Sequence, residues 1–125
     1  MLFRTLEEVL GTERDVDWGN GTSRRLVVAA DGRGYAVTDT HVRPGTETRL
    51  RFDSHLECCY CIDGSGRVST AEETWDLRPG ALYAPDKGEE HRLSSESGMR
   101  LICVFHPPLR GDESHNSDPA KASGY

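Results

Sequence analysis

The sequence predicts an all-β, single-domain protein. From Ser23 onward the chain takes on a period of two, with β-branched and aromatic residues alternating with polar ones. Glycine and proline turns cut these short runs about every eight to twelve residues, the spacing of a sandwich or barrel. No internal repeat and no linker divides the 125 residues, which suffice for one core.

Composition narrows the function classes. Fifteen basic residues stand against 21 acidic ones, a net charge of −6, and no basic run offers a footprint for nucleic acid. No apolar run reaches the length of a membrane span. Met1-Leu2-Phe3-Arg4-Thr5 leads straight into acidic residues, unlike a signal peptide, so a cytoplasmic protein is expected. The four cysteines lack the paired spacing of a zinc site. Cys58 and Cys61, three apart on a strand, fall on opposite faces, and Cys103 is remote in sequence. Buried, inert thiols are expected.

Taken in order, Leu2–Arg4 reads as a short strand. Thr5-Leu6-Glu7-Glu8 has the form of a capping box, and Gly11 is placed to end a helix of barely two turns. Asp15 to Thr22 is polar and glycine-rich and reads as a loop. Trp18 within it is either a docked hydrophobe or a ring facing a ligand. Arg24–Val28 is a strand, Asp31-Gly32-Arg33-Gly34 a turn, and Tyr35–Thr40 the returning strand. After the turn at Pro44-Gly45, Thr48, Leu50 and Phe52 alternate with Glu47, Arg49 and Arg51.

The central strand follows. His55, Glu57, Cys59 and Cys61 share one face, with Tyr60 and Ile62 on the other, and Asp63-Gly64 reads as a hairpin turn. Alone, His55-x-Glu57 is either the start of a metal site or, more commonly, a polar pair on a half-exposed strand. Val68–Thr70 and Trp75–Leu77 are further strands. Pro79-Gly80 turns the chain into Ala81–Ala84, 85–90 is a loop, and His91–Leu93 resumes a strand. Met99–Phe105 is the most apolar run and is expected fully inside. The barrel is thus placed over residues 1–109. The polar stretch 110–125 cannot pack by itself, and is a structureless tail or a lid.

Gly45…His55-x-Glu57…Gly64 followed by Pro79-Gly80…Pro85…His91 has the shape of the two cupin motifs, so a jelly-roll β-barrel holding a metal is expected. If the loop at 85–90 closes a hairpin, Tyr83 and His91 face the same interior as Glu57. Carboxylate, phenol and imidazole suit iron best, with zinc or manganese as alternatives and a thiophilic metal least. His55 is then a supporting or substrate-contacting group. An inward tyrosine is more often packing plus one hydrogen bond, so Tyr83 is the less specific member of the set.

Ordered matches extend beyond these motifs. They comprise Arg4-Thr5-Leu6-Glu7-Glu8-Val9 with Gly11-Thr12-Glu13-Arg14-Asp15, Ser23-Arg24-Arg25-Leu26, Asp39-Thr40, and Gly45-Thr46-Glu47-Thr48. His55-Leu56-Glu57, Tyr60-Cys61-Ile62, Pro79-Gly80, Tyr83-Ala84, Asp86-Lys87 and His91 continue the series. Arg100-Leu101-Ile102-Cys103-Val104-Phe105 with Pro107-Pro108-Leu109 completes it. Over nearly its whole length the chain resembles the L-ectoine synthase family of small metal-dependent cupins.

The resemblance implies a hydro-lyase of ectoine biosynthesis and osmoprotection, which closes N-γ-acetyl-L-2,4-diaminobutyrate into ectoine with loss of water. It implies iron at Glu57, Tyr83 and His91. It implies substrate contacts at Arg25, Thr40, His55, Phe105, Glu113 and His115, with Phe52 at a further substrate-side position. Glu113, His115 and Tyr83 are the expected catalytic groups. A homodimer is expected, formed by strand exchange or edge pairing at Leu2–Arg4.

Departures from the family pattern cluster on the pocket side. Gly21 stands where the family carries a Trp, with Trp18 three residues earlier, and Phe52 replaces a Tyr. Ala36-Val37-Thr38 precedes Asp39, His106 replaces an Asn, and Asn116-Ser117-Asp118-Pro119 replaces an acidic ending. Two other readings therefore stand beside ectoine synthase. One is a sister cupin cyclase acting on another amino-amide; the other is a non-catalytic metal cupin that binds a small solute.

Overall fold

Two antiparallel sheets face each other, and the strand order explains how residues distant in sequence meet. The computed structural model describes residues 1–115 and 124–125. One sheet has six strands in the order β1 (Asp15–Asp17), β2 (Gly21–Val27), β3 (Ala36–Val42), β10 (Met99–His106), β5 (Leu56–Gly64) and β8 (Leu82–Tyr83). The other has four, in the order β4 (Thr46–Leu50), β9 (His91–Ser95), β6 (Gly66–Ser69) and β7 (Thr74–Leu77). Their inner faces bury Val42, Leu50, Phe52, Val68, Leu77, Leu93, Leu101 and Phe105 in one cluster. Each such side chain removed from water stabilises the fold by about 1.5–3 kcal/mol.

The N-terminal helix α1 (Leu6–Val9) is one turn long. The Thr5 hydroxyl accepts from the Glu8 N–H at 3.4 Å and the Glu8 carboxylate accepts from the Thr5 N–H at 3.0 Å, a complete capping box. Gly11 follows at φ +74°, left-handed as expected. Leu2–Arg4 is not a strand. Its Arg4 guanidinium turns inward to the main-chain oxygen of Leu26 at 2.5 Å and to the Asp31 carboxylate at 3.2 Å.

Four further expectations are corrected. Asp15–Asp17, read as loop, is strand β1, because its register with Arg24, Ser23 and Thr22 supplies ladder partners that local composition does not reveal. Asp63-Gly64 is not a two-strand hairpin: β5 belongs to the larger sheet and β6 to the smaller, so the chain crosses between sheets there. Gly64 lies at φ +77°, and a Cβ on it would fall 2.1 Å from the Gly98 carbonyl oxygen. Likewise 85–90 joins different sheets rather than closing a hairpin, since β8 pairs with β5 and β9 with β4 and β6. β10, flanked by β3 and β5, alternates buried residues with partly or fully exposed ones instead of being buried throughout.

Candidate active site

The inner face of β5 is the floor of the site. His55, Glu57, Cys59 and Cys61 are buried while Leu56 and Tyr60 are exposed, the alternation of a half-buried strand. Glu57 is the register partner of Phe105 on β10 and Cys59 that of Tyr83 on β8. His91 opens β9 in the opposite sheet, paired with Leu50. Its ring lies 6.2 Å from the Tyr83 ring and 5.5 Å from the Phe52 ring.

Two buried atoms here lack hydrogen-bond partners among the described residues, Glu57 Oε1 and His91 Nε2. Such atoms are rare in folded proteins, and each costs about 1–3 kcal/mol when nothing compensates it. Burial pushes the Glu57 carboxyl up to about 8, offset in part by a hydrogen bond with Cys59. Burial lowers the His91 imidazole, keeping it neutral. Its Nδ1 lies 3.0 Å from the main-chain oxygen of Glu89, a contact in which Nδ1–H donates and the Nε2 lone pair stays open for a cation. Burial also raises the Tyr83 phenol well above its ordinary range. A buried carboxylate and a buried imidazole, each with an open lone pair, and the phenol of Tyr83 near that imidazole are a donor set that suits a divalent transition metal.

A second donor set shares Glu57. The Glu57 oxygen and the Cys59 and Cys103 sulfurs lie within 4.8 Å of one another, and the two sulfurs are 3.1 Å apart. Cys59 and Cys103 are register partners on β5 and β10, both facing inward, and all four cysteines are free thiols. Burial raises the Cys59 thiol far above its usual range, so Cys59 stays protonated and is a poor ligand for a hard cation. The sequence reading missed the Cys59–Cys103 pair, because only the cross-strand pairing of β5 with β10 brings Cys103 to Cys59.

Above the floor, Trp18, Ser23, Thr40, Phe52, Phe105 and His115 wall a cavity of about 30 Å³. Trp18 is buried, and its indole N–H donates to the His41 main-chain oxygen at 2.9 Å. It is both docked and facing the cavity. A Cβ on Gly21 would fall 2.9 Å from the Trp18 indole nitrogen and 1.8 Å from the His41 oxygen, so a side chain at 21 and this indole exclude one another. Thr40 shares a 2.8 Å hydroxyl contact with Thr38. A larger depression of about 580 Å³, beside Trp75, Leu82 and Glu89, also borders Tyr83 and His91. Among the described residues, the expected substrate contacts Thr40, Phe52, Phe105 and His115 surround the smaller cavity and not this one.

The described tail residues pack against the barrel. Arg25 and Glu113, with side chains 0% and 1% exposed, meet at 3.5 Å. Arg25 also donates to the Glu113 main-chain oxygen. The Glu113 carboxylate accepts from the Arg110 N–H at 2.8 Å and the Gly111 N–H at 2.9 Å. Burial works to raise this carboxyl, but those hydrogen bonds and Arg25 outweigh it, and it stays ionised. Burial, with His91 and Arg25 nearby, drives the His115 imidazole down to about 3, so it is neutral. Tyr125, which the sequence reading passed over, is 4% exposed and belongs to the core cluster. Positions 116–123, including the substituted Asn116–Pro119 ending, lie outside the described residues.

Two antiparallel sheets closed over an inward carboxylate, imidazole and phenol define a small cupin with a candidate metal centre. Within that class the chain belongs to the ectoine synthase family: the family model described as ectoine synthase matches residues 1–123. L-Ectoine synthase of Desulfatibacillum aliphaticivorans is 47% identical over 124 residues, covering 96% of this chain and 95% of the relative. That of Halalkalibacterium halodurans is 44% identical, covering 90% and 89%. The crystal structure of ectoine synthase from P. lautus superposes with a TM-score of 0.85 at 42% identity, over 89% of this chain and 81% of that one. The EutQ protein of Clostridium difficile, 19% identical with a TM-score of 0.65, shares the fold.

Proposed function

We infer that the chain is an ectoine synthase that closes N-γ-acetyl-L-2,4-diaminobutyrate to ectoine, with iron held by Glu57, Tyr83 and His91. The observation that carries the metal is that Glu57 Oε1 and His91 Nε2 are buried and have no hydrogen-bond partner among the described residues. Zinc or manganese is the alternative occupant. The reaction follows from family membership and from the residues around that pair.

In the reaction the α-nitrogen forms a bond to the acetamide carbon. The carbonyl oxygen takes up the two protons that nitrogen loses and departs as water, leaving the C=N of the ring. The chemistry a bound iron supplies is Lewis-acid polarisation of an amide carbonyl that is a poor electrophile by itself. The chain's own residues do the rest. Thr40, Phe52 and Phe105 shape a wall that favours a folded substrate, and well-oriented intramolecular attack contributes on the order of 7–11 kcal/mol. Arg25, a fully buried cation, suits the substrate carboxylate. Neutral His115 borders the cavity and can accept a hydrogen bond from the α-amine, and Tyr83 serves as an iron ligand through its phenol oxygen. Glu113, ionised and hydrogen-bonded on both oxygens, acts by holding Arg25 and the tail in place, rather than as an acid.

Trp18 in the cavity wall favours this reading over a sister cyclase, because its indole supplies an aromatic surface that Gly21 cannot. A cytoplasmic homodimer fits as well. Leu56, Tyr60 and Ile62 on β5, Leu82 on β8 and Val104 on β10 are exposed on the outer sheet face, an apolar patch suited to a second copy. This face replaces the Leu2–Arg4 edge as the expected contact. Among the described residues no helix is long and apolar enough to cross a membrane. Incubating the iron-loaded protein with N-γ-acetyl-diaminobutyrate and following ectoine by chromatography tests the function; no ectoine from fully loaded protein refutes it.

A further inference from the structure

Tyr125 contacts the groups that a substrate in the cavity would contact. Its ring stacks on His115, with centroids 4.2 Å apart and planes 14° from parallel. Phe52 and Phe105 each lie 5.4 Å from the same ring. Its hydroxyl accepts from Arg25 Nη2 at 2.7 Å, and its main-chain oxygen lies 3.1 Å from the Ser54 N–H and 3.2 Å from His55 Nδ1. Arg25, His55, Phe52, Phe105 and His115 are all positions expected on the substrate side. With the ring seated, about 30 Å³ of cavity remains, room for about one water. Pockets for small ligands run to about 300 Å³ or more.

We propose that Tyr125 is a substrate-site residue that acts as an internal competitor: its side chain holds the substrate's seat, and substrate binds as Tyr125 leaves. The inference rests on the reading of this cavity as the substrate site. The chemistry of the exchange is matched on both faces. An aromatic ring leaves an aromatic wall, and a hydroxyl bound to Arg25 gives way to a carboxylate, a stronger partner for a guanidinium. Because the occupant is tethered, apparent affinity falls by the fraction of molecules in which the seat is open. Tyr125 therefore sets KM and leaves the bound reaction unchanged.

Tyr125→Ala and Tyr125→Phe separate the ring from the hydroxyl. For Tyr125→Ala, KM for N-γ-acetyl-diaminobutyrate is expected to fall by at least about threefold with kcat unchanged, while Tyr125→Phe, still seated, shifts KM less. A rise in KM or a loss of kcat in Tyr125→Ala would overturn the proposal by making the ring part of the productive wall. An unchanged KM would also overturn it, and would direct attention to the depression beside Trp75. A second readout needs no turnover. Cys59 and Cys103 line the same cavity, so their alkylation by iodoacetamide, followed by site-resolved mass spectrometry, should quicken at least about tenfold in Tyr125→Ala and little in Tyr125→Phe. Equal rates in wild type and Tyr125→Ala would overturn the proposal. If the wild type makes no ectoine, the function reading fails, and the alkylation result still decides whether the ring fills the cavity.

Discussion

Arg25 on β2 and Glu113 in the tail form an ion pair across 88 residues of sequence, with both side chains almost completely out of water. A buried charge left without its partner is costly, so Glu113→Ala or Arg25→Ala should each destabilise by about 3–5 kcal/mol in urea unfolding. Arg25→Met combined with Glu113→Leu should recover more than half of that loss, because no charge is then stranded. A double variant as unstable as the sum of its parents would show that the two groups do not act as a pair.

A second knot fixes the N-terminal segment. The Arg14 guanidinium beside Asp31, the Val28 N–H and Arg4 together hold the Asp31 carboxyl well below the usual carboxylate range, against the effect of burial. A depressed folded-state value means the contribution is complete above about pH 4 and is lost as pH falls further. Asp31→Asn should cost about 2 kcal/mol at pH 7 and flatten the decline of stability below pH 4. An unchanged acid profile would remove Asp31 from the account.

Gly21 is constrained by space. Gly21→Ala places a methyl carbon 1.8 Å from the His41 oxygen, which no rotamer relieves. Strands β2 and β3 must separate locally, and a loss of at least about 2 kcal/mol is expected by thermal or chemical unfolding. Wild-type stability in Gly21→Ala would mean that the strand contact at 21 and 41 is not held in solution.

The sequence made local features legible and left non-local ones hidden. The inward row His55, Glu57, Cys59 and Cys61 followed from strand alternation, and the capping box at Thr5–Glu8 from four adjacent residues. The strand β1 stayed hidden because Asp15–Asp17 is polar and gains its order from hydrogen bonds to β2. Arg4 is drawn to Asp31 and Leu26, contacts more than twenty residues away, so Leu2–Arg4 takes no strand form. The sheet crossings at Asp63-Gly64 and 85–90 resemble hairpin turns in composition, and only the pairing of β6 and β9 distinguishes them. The contacts of Glu113 and Tyr125 were hidden for the same reason: they find Arg25 across 88 and 100 residues, which no window of local composition can see.

The thiol pair gives a prediction about metal choice. Cys59 and Cys103 share Glu57 with the oxygen and nitrogen donors. Cys59→Ser with Cys103→Ser should leave iron content within about 20% of wild type, because a hard cation prefers carboxylate, phenolate and imidazole. The same double variant should weaken cadmium binding at least about tenfold by competition titration. Loss of iron with the thiols would transfer the centre to the sulfur set.

Iron content measured alongside ectoine formation in Glu57→Ala, His91→Ala and wild type tests the central claim most directly. The wild type is expected to hold about one iron per chain and to form ectoine; each variant, lacking one of the two orphaned donors, should hold less than about a tenth of that and form none. Full iron content and ectoine formation retained in both variants would contradict a catalytic metal centre at Glu57, Tyr83 and His91.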